Sequence, residues 1–156
     1  MNSNQKEEDL RYMRIALALA EEAFRIQEVP VGALIVRNGE ILSRAYNKKE
    51  QTFDPLGHAE MLAIRDAAEC LQNWRLIDSV LYVTKEPCIM CCGAILHARI
   101  KRVVYGCRDE KGGAAETLYQ LLNDPRLNHR VEVVSGVCED ECAELLRRFF
   151  SHKRAS

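Results

Sequence analysis

Two short apolar runs separated by a four-residue break constrain this chain more than any other feature. "VGALIV" and "ILSRAY" flank "RNGE", which reads as two strands joined by a tight turn. Helix-like and strand-like runs then alternate. "AEMLAIRDAAECL" reads as a helix and "SVLYVT" as a buried strand. "CIMCCGAILHA" reads as a helix and "RVVYG" as a short strand. "ETLYQLL" is expected to be helical, "VEVVSG" a strand and "ECAELLRRFF" a closing helix. Ahead of the hairpin, Glu7 to Gln27 carries Leu10, Met13, Ile15, Leu17, Ala20, Phe24 and Ile26, a spacing that suits an amphipathic helix better than a strand. Alternation of this kind favours helices packed on a sheet, an α/β sandwich.

No internal repeat, low-complexity block or Pro/Gly/Ser-rich linker divides the 156 residues, so one domain is expected over 1–156. Lys and Arg number 22 against 23 Asp and Glu, a formal net charge of -1. Contact with nucleic acid would therefore need a local patch and not a globally basic protein. The start, "MNSNQKEEDL", is polar and lacks the apolar segment of a signal peptide, and no run reaches membrane-spanning length. The expected compartment is the cytoplasm, with no membrane. Reduced thiols there, and an odd count of seven cysteines, weaken a disulfide reading.

Metal binding, a redox dithiol and plain burial remain open for "EPCIMCCGA", which holds Cys88, Cys91 and Cys92. Pro87 suits the start of a helix, and a helix N-terminus favours the thiolate form that binds metals. "HAE" places His58 two residues from Glu60, again just before a helical run. One His and two Cys make three protein ligands, which leaves the fourth position of a tetrahedral zinc site open for water, a catalytic arrangement. Cys92 points about 100° round the helix from Cys91 and reads as a small core residue. Glu60 is either a solvated surface acid or a proton carrier for water activated by the metal.

His-x-Glu followed by Pro-Cys-x-x-Cys resembles the zinc nucleobase deaminases. Within them the chain resembles the bacterial tRNA-specific adenosine deaminases, through "EVPVGA", "DPLGHAE", "NWRLIDSVLYVTKEPCIMCCGAILHARIKRVVYGCRD", "LNHRVEV" and "DECAELLRRFF". The resemblance implies a three-layer α/β/α, cytidine-deaminase-like fold with a mixed five-stranded sheet, and a homodimer. It implies hydrolytic deamination of adenosine to inosine at the wobble position of a tRNA anticodon stem-loop. It implies one Zn2+ per chain on His58, Cys88 and Cys91, with Glu60 as proton shuttle. By the same resemblance the N–H groups of Ala59 and Cys88 lie near the reacting centre and Asn47 contacts the flipped nucleotide. Val29 walls the base pocket, Asp109 lies near the target ribose and Phe149 packs on a neighbouring base. Read without it, Asn47 is a turn residue, Val29 core, Asp109 a loop cap and Phe149 an anchor for the last helix. "YNKK" departs from the family by carrying Lys48 and Lys49 where Arg-Pro is frequent.

A wobble base sits in a loop, where flipping it out is cheaper than in a duplex. Cations are then needed for phosphates. Lys48 with Lys49, and Arg147, Arg148, Lys153 and Arg154 on the last helix, are the better candidates. Arg99, Lys101 and Arg102, Arg108 with Lys111, and His129 with Arg130 are further clusters. A free-base or nucleoside deaminase of guanine or cytosine type would share the metal motif. A noncatalytic zinc module would need a fourth protein ligand and no Glu60.

Overall fold

The first helix begins earlier than its apolar spacing announces. In the computed structural model, which describes residues 2–155, α1 runs Ser3–Arg25 because Asn2 caps it. The Asn2 Oδ1 accepts the Gln5 N–H at 2.8 Å, satisfying a donor that the helix leaves without a partner. The hairpin follows as β1 (Gly32–Arg37) and β2 (Glu40–Tyr46). Asn38 and Gly39 both have positive φ, 50° and 78°, the pattern of a turn whose twist matches paired strands. Then come α2 (Ala59–Leu71), β3 (Ser79–Lys85), α3 (Ile89–His97), β4 (Arg102–Cys107), β5 (Glu132–Val134) and α4 (Glu139–Ala155).

The strands form one sheet in the order β2-β1-β3-β4-β5. β1 pairs antiparallel with β2 and β3, whereas β3–β4 and β4–β5 are parallel, so the sheet is mixed, as expected. Successive side chains of a strand point to opposite faces. Ala33, Ile35, Leu81, Val83, Val103 and Tyr105 pack with Ala59, Ala63 and Ala67 of α2 and with Cys92 and Ile95 of α3. Leu34, Val36, Tyr82 and Val104 pack with Tyr12, Met13 and Ala16 of α1 and with Cys142 of α4. The result is the three-layer α/β/α arrangement. Each large apolar chain buried this way contributes roughly 1.5–3 kcal/mol before entropy is counted. Gly32 is required by close approach, since a Cβ there would overlap the Ala16 carbonyl oxygen of α1.

One buried ionic cluster fixes α1 to the sheet. Asp9 Oδ1 accepts from Tyr82 Oη at 2.7 Å and from Arg102 Nη1 at 2.8 Å, and Arg102 Nη2 reaches Asp9 Oδ2 at 2.5 Å. Removing one partner of such a cluster typically costs about 3–5 kcal/mol.

"ETLYQLL" does not form the expected helix. The segment is a run of turns, with a short 3-10 turn at Leu121–Asn123. The reason is local. The N–H groups of Glu116 and Thr117 donate to the Glu86 carboxylate at 2.8 and 2.9 Å, and Leu118 N–H and Leu121 N–H bond back to Gly113 and Ala114. The Leu121 N–H, which a helix would give to the Thr117 carbonyl, is thereby used outside the segment. Among the described residues, no helix is long and apolar enough to cross a membrane.

Candidate active site

The starts of α2 and α3 meet beside the end of β3. His58 is the N-cap of α2 and Cys88 the N-cap of α3, and neither side chain caps its own helix. Both are extended in backbone and free to point across the gap between the helices. Cys91 sits three residues into α3 and is fully buried. His58 Nδ1 lies 3.6 Å from Cys88 Sγ and 3.5 Å from Cys91 Sγ. A tetrahedral zinc with Zn–S of about 2.3 Å and Zn–N of about 2.0–2.1 Å sets its S and N ligand atoms about 3.6 Å apart. The donor set and its spacing therefore fit that ion, and the three ligand atoms lie within 4.8 Å of one another. Pro87 stands one residue ahead of the cap and not inside the helix. Cys92 turns away as expected: it is buried in the core, with its Sγ 3.7 Å from the Pro87 carbonyl oxygen.

Charge at this junction follows the geometry. The Cys88 thiol is pulled down to about 4, first by its hydrogen bond with Cys91 and then, against burial, by His58. His58 is raised, chiefly by Cys88. Cys91 is pushed up by its contact with Cys88 and by burial. Glu60, in the first turn of α2, is 4% exposed, and burial raises its carboxyl to about 7.

Glu60, His58 and Cys88 line a cavity of about 170 Å³ together with Val29, Asn47, Lys49, Lys85, Asp109 and Phe150. A roomier hollow of about 610 Å³, walled in part by Arg44, Phe53 and Arg65, is lined by none of His58, Glu60, Cys88 and Cys91. Asn47 is buried, and its N–H bonds to the Val31 carbonyl at 3.0 Å, which holds the end of β2 against the neighbouring wall. Val29 is half-buried. Ala59 has its methyl in the core and its N–H at the head of α2, where no intrahelical acceptor exists. Asp109 meets Lys85 at 3.2 Å and accepts the Lys111 N–H at 3.0 Å.

Phe149 is not on the cavity wall. It is 5% exposed and packs edge-on against Phe24, ring centroids 5.7 Å apart, while its neighbour Phe150, 42% exposed, lines the cavity. Helical rotation separates the two rings by about 100°, and the apolar contact with α1 claims the first of them. Lys85 and Glu86, which sequence alone does not single out, also line the cavity. Their signal was position: they end a strand and immediately precede the Pro-Cys motif, where chains of this architecture place functional groups.

The chain carries the sequence pattern of the MafB19-like deaminases over residues 7–154. It is 48% identical over 147 residues to a tRNA-specific adenosine deaminase of Bacillus subtilis, covering 94% of this chain and 91% of the relative. It is 46% identical over 148 residues to a tRNA-specific adenosine deaminase of Streptococcus pyogenes, covering 95% and 93%. A structure solved in work on A-to-I editing by tRNA:A34 deaminases at the wobble position superposes with a TM-score of 0.84 at 42% identity, over 86% of this chain and 98% of that one. With nearly half its residues shared with such relatives along almost its whole length, the chain belongs to the family of the bacterial tRNA-specific adenosine deaminases.

Proposed function

We propose that the protein hydrolyses adenosine to inosine and ammonia at the wobble position of a tRNA, acting on the anticodon stem-loop. The observation that carries this reading is the cavity lined by the buried acid Glu60, by Asn47 and by His58 and Cys88, two members of the donor set that Cys91 completes. Residues 1–156 act as one zinc-dependent deaminase domain. One Zn2+ per chain on His58 Nδ1 and the two thiolates supplies, when bound, the Lewis acidity that makes water nucleophilic near neutral pH. Glu60 carries the protons: its carboxylate takes one from water and passes it to the ring nitrogen, then takes the proton of the hydroxyl newly added to the base and passes it to the amine, which leaves as ammonia. Burial gives it an affinity for protons near neutrality, which suits a group that must both accept and donate.

Asn47 holds the flipped nucleotide, Val29 packs on the base and the Ala59 and Cys88 N–H groups face the reacting centre. Asp109 lies toward the ribose. Phe150 offers a ring at the mouth for a neighbouring base, the role that the family resemblance had given to Phe149. Two chains pair, as the family resemblance implies. The working compartment is the cytoplasm, where tRNA is found.

The test offers purified protein a panel of tRNAs and anticodon hairpins beside free adenine, adenosine, guanine and cytosine. Inosine is expected only in RNA. Comparable turnover on free guanine or cytosine moves the protein to the free-base deaminases.

A further inference from the structure

Every nucleotide in a strand carries a phosphate on each side. A pocket that takes a base flipped out of RNA therefore meets backbone anions at its mouth. Two lysines line this cavity, Lys49 in the segment after β2 and Lys85 as the last residue of β3. The strand β1 lies between β2 and β3, so about two strand spacings, roughly 10 Å, separate their backbones. We propose that Lys85 is a phosphate grip of the reaction pocket, holding one of the two phosphates that flank the flipped adenosine. This deepens the reading above and rests on it.

Three observations carry the assignment. Lys85 is three residues before Cys88, on the strand end that leads into the metal-binding motif, so the rigid sheet fixes its distance from the reacting atoms. Its side chain is 29% exposed and lines the cavity. Its partner in the ligand-free protein is Asp109, at 3.2 Å. That carboxylate is also supported by the Lys111 N–H, so the fold does not depend on Lys85 to hold it. A partly exposed ion pair of this kind contributes little to stability, on the order of 1 kcal/mol or less. Without Lys85, however, Asp109 would present an uncompensated negative charge to an anionic backbone. The lysine thus cancels a repulsion at the mouth and keeps N–H donors for a phosphate oxygen, a stronger acceptor than neutral groups.

The experiment uses an anticodon hairpin deaminated by the wild-type protein, and two copies of it with a neutral methylphosphonate on the 5′ or the 3′ side of the target adenosine. Affinity and single-turnover rate are measured for wild type, Lys85→Met and Lys85→Arg, with zinc content and melting temperature confirming that all three are folded. In the wild type, neutralising one of the two phosphates is expected to weaken binding about ten-fold, the range of a charge-assisted hydrogen bond. In Lys85→Met that penalty should vanish while the other phosphate's penalty persists, and Lys85→Arg should restore it. The log–log salt slope of Lys85→Met should also fall by roughly 0.7, one contact on single-stranded RNA. Equal penalties in all three proteins, or none in the wild type, overturn the role of Lys85 and leave the deaminase reading intact. Absence of inosine from the unmodified hairpin with wild type overturns the reading itself, and this inference with it.

Discussion

Two buried glutamates, Glu60 and Glu86, stand on the same cavity wall and have opposite characters. Glu60 is 4% exposed and Glu86 2% exposed. Burial alone would raise both. In Glu86 it is outweighed by donors: Thr117 Oγ1, the N–H groups of Glu116 and Thr117 and the Asp109 N–H all point at the carboxylate, which is held below its ordinary value. Glu60 has no comparable shell and is raised to about 7. A carboxylate surrounded by N–H groups is a fixed anion around which a loop folds. One left short of donors becomes a group that can exchange protons.

The largest way to break that contrast is Glu60→Gln. Shape is kept and proton transfer is lost, so single-turnover deamination should fall by about 10²–10⁴-fold while zinc content and RNA affinity hold. A rate near wild type would make Glu60 a bystander. Glu86→Gln attacks the other side. It should lower stability by about 1–3 kcal/mol in denaturant titration, the cost of leaving buried donors poorly matched, and should loosen the 109–117 segment in hydrogen exchange. Because Glu86 titrates below its unfolded value, the advantage of wild type over Glu86→Gln should be full at neutral pH and fade as pH falls through the carboxylate range.

Metal-stripped protein sharpens the comparison by reversing the sign. There Glu60 titrates above its unfolded value, so its contribution is present at low pH and lost as pH rises toward about 7. Glu60→Gln should gain on wild type by up to about 1.4 kcal/mol for each pH unit in that window, read from melts at several pH values. A Glu60→Gln that instead loses ground with rising pH would contradict the burial argument. The smallest effect is expected from Cys92→Ala, about 1 kcal/mol of stability with unchanged metal content, because that thiol faces core and not ligand.

The helix at 59–71 was legible residue for residue, since Ala59, Ala63 and Ala67 repeat at helical spacing on one buried face. The hairpin was equally plain. The gathering of His58, Cys88 and Cys91 as a set that could hold a metal was legible from residue type and spacing, although His58 and Cys88 come from different helices. What the pattern hid depends on partners remote in sequence. Nothing within "ETLYQLL" says that a carboxylate thirty residues earlier will take its N–H groups. Nothing in "RRFF" says which ring α1 will cover. Lys85 was hidden for a different reason: a lysine closing a buried strand looks like an ordinary solvated end until the loop bearing Asp109 is folded over it.

The Asn38–Gly39 turn has a practical consequence. It joins β1 and β2 at the end where Arg37 pairs with Ser79, whereas the cavity lies at the other end, beyond Gly32 and Tyr46. Six residues of strand, about 20 Å, separate the two. A fluorophore, an affinity handle or a whole fused domain grafted into this turn would hang from the far side of the sheet. The molecule therefore comes with an attachment point that leaves the approach of a large RNA unobstructed.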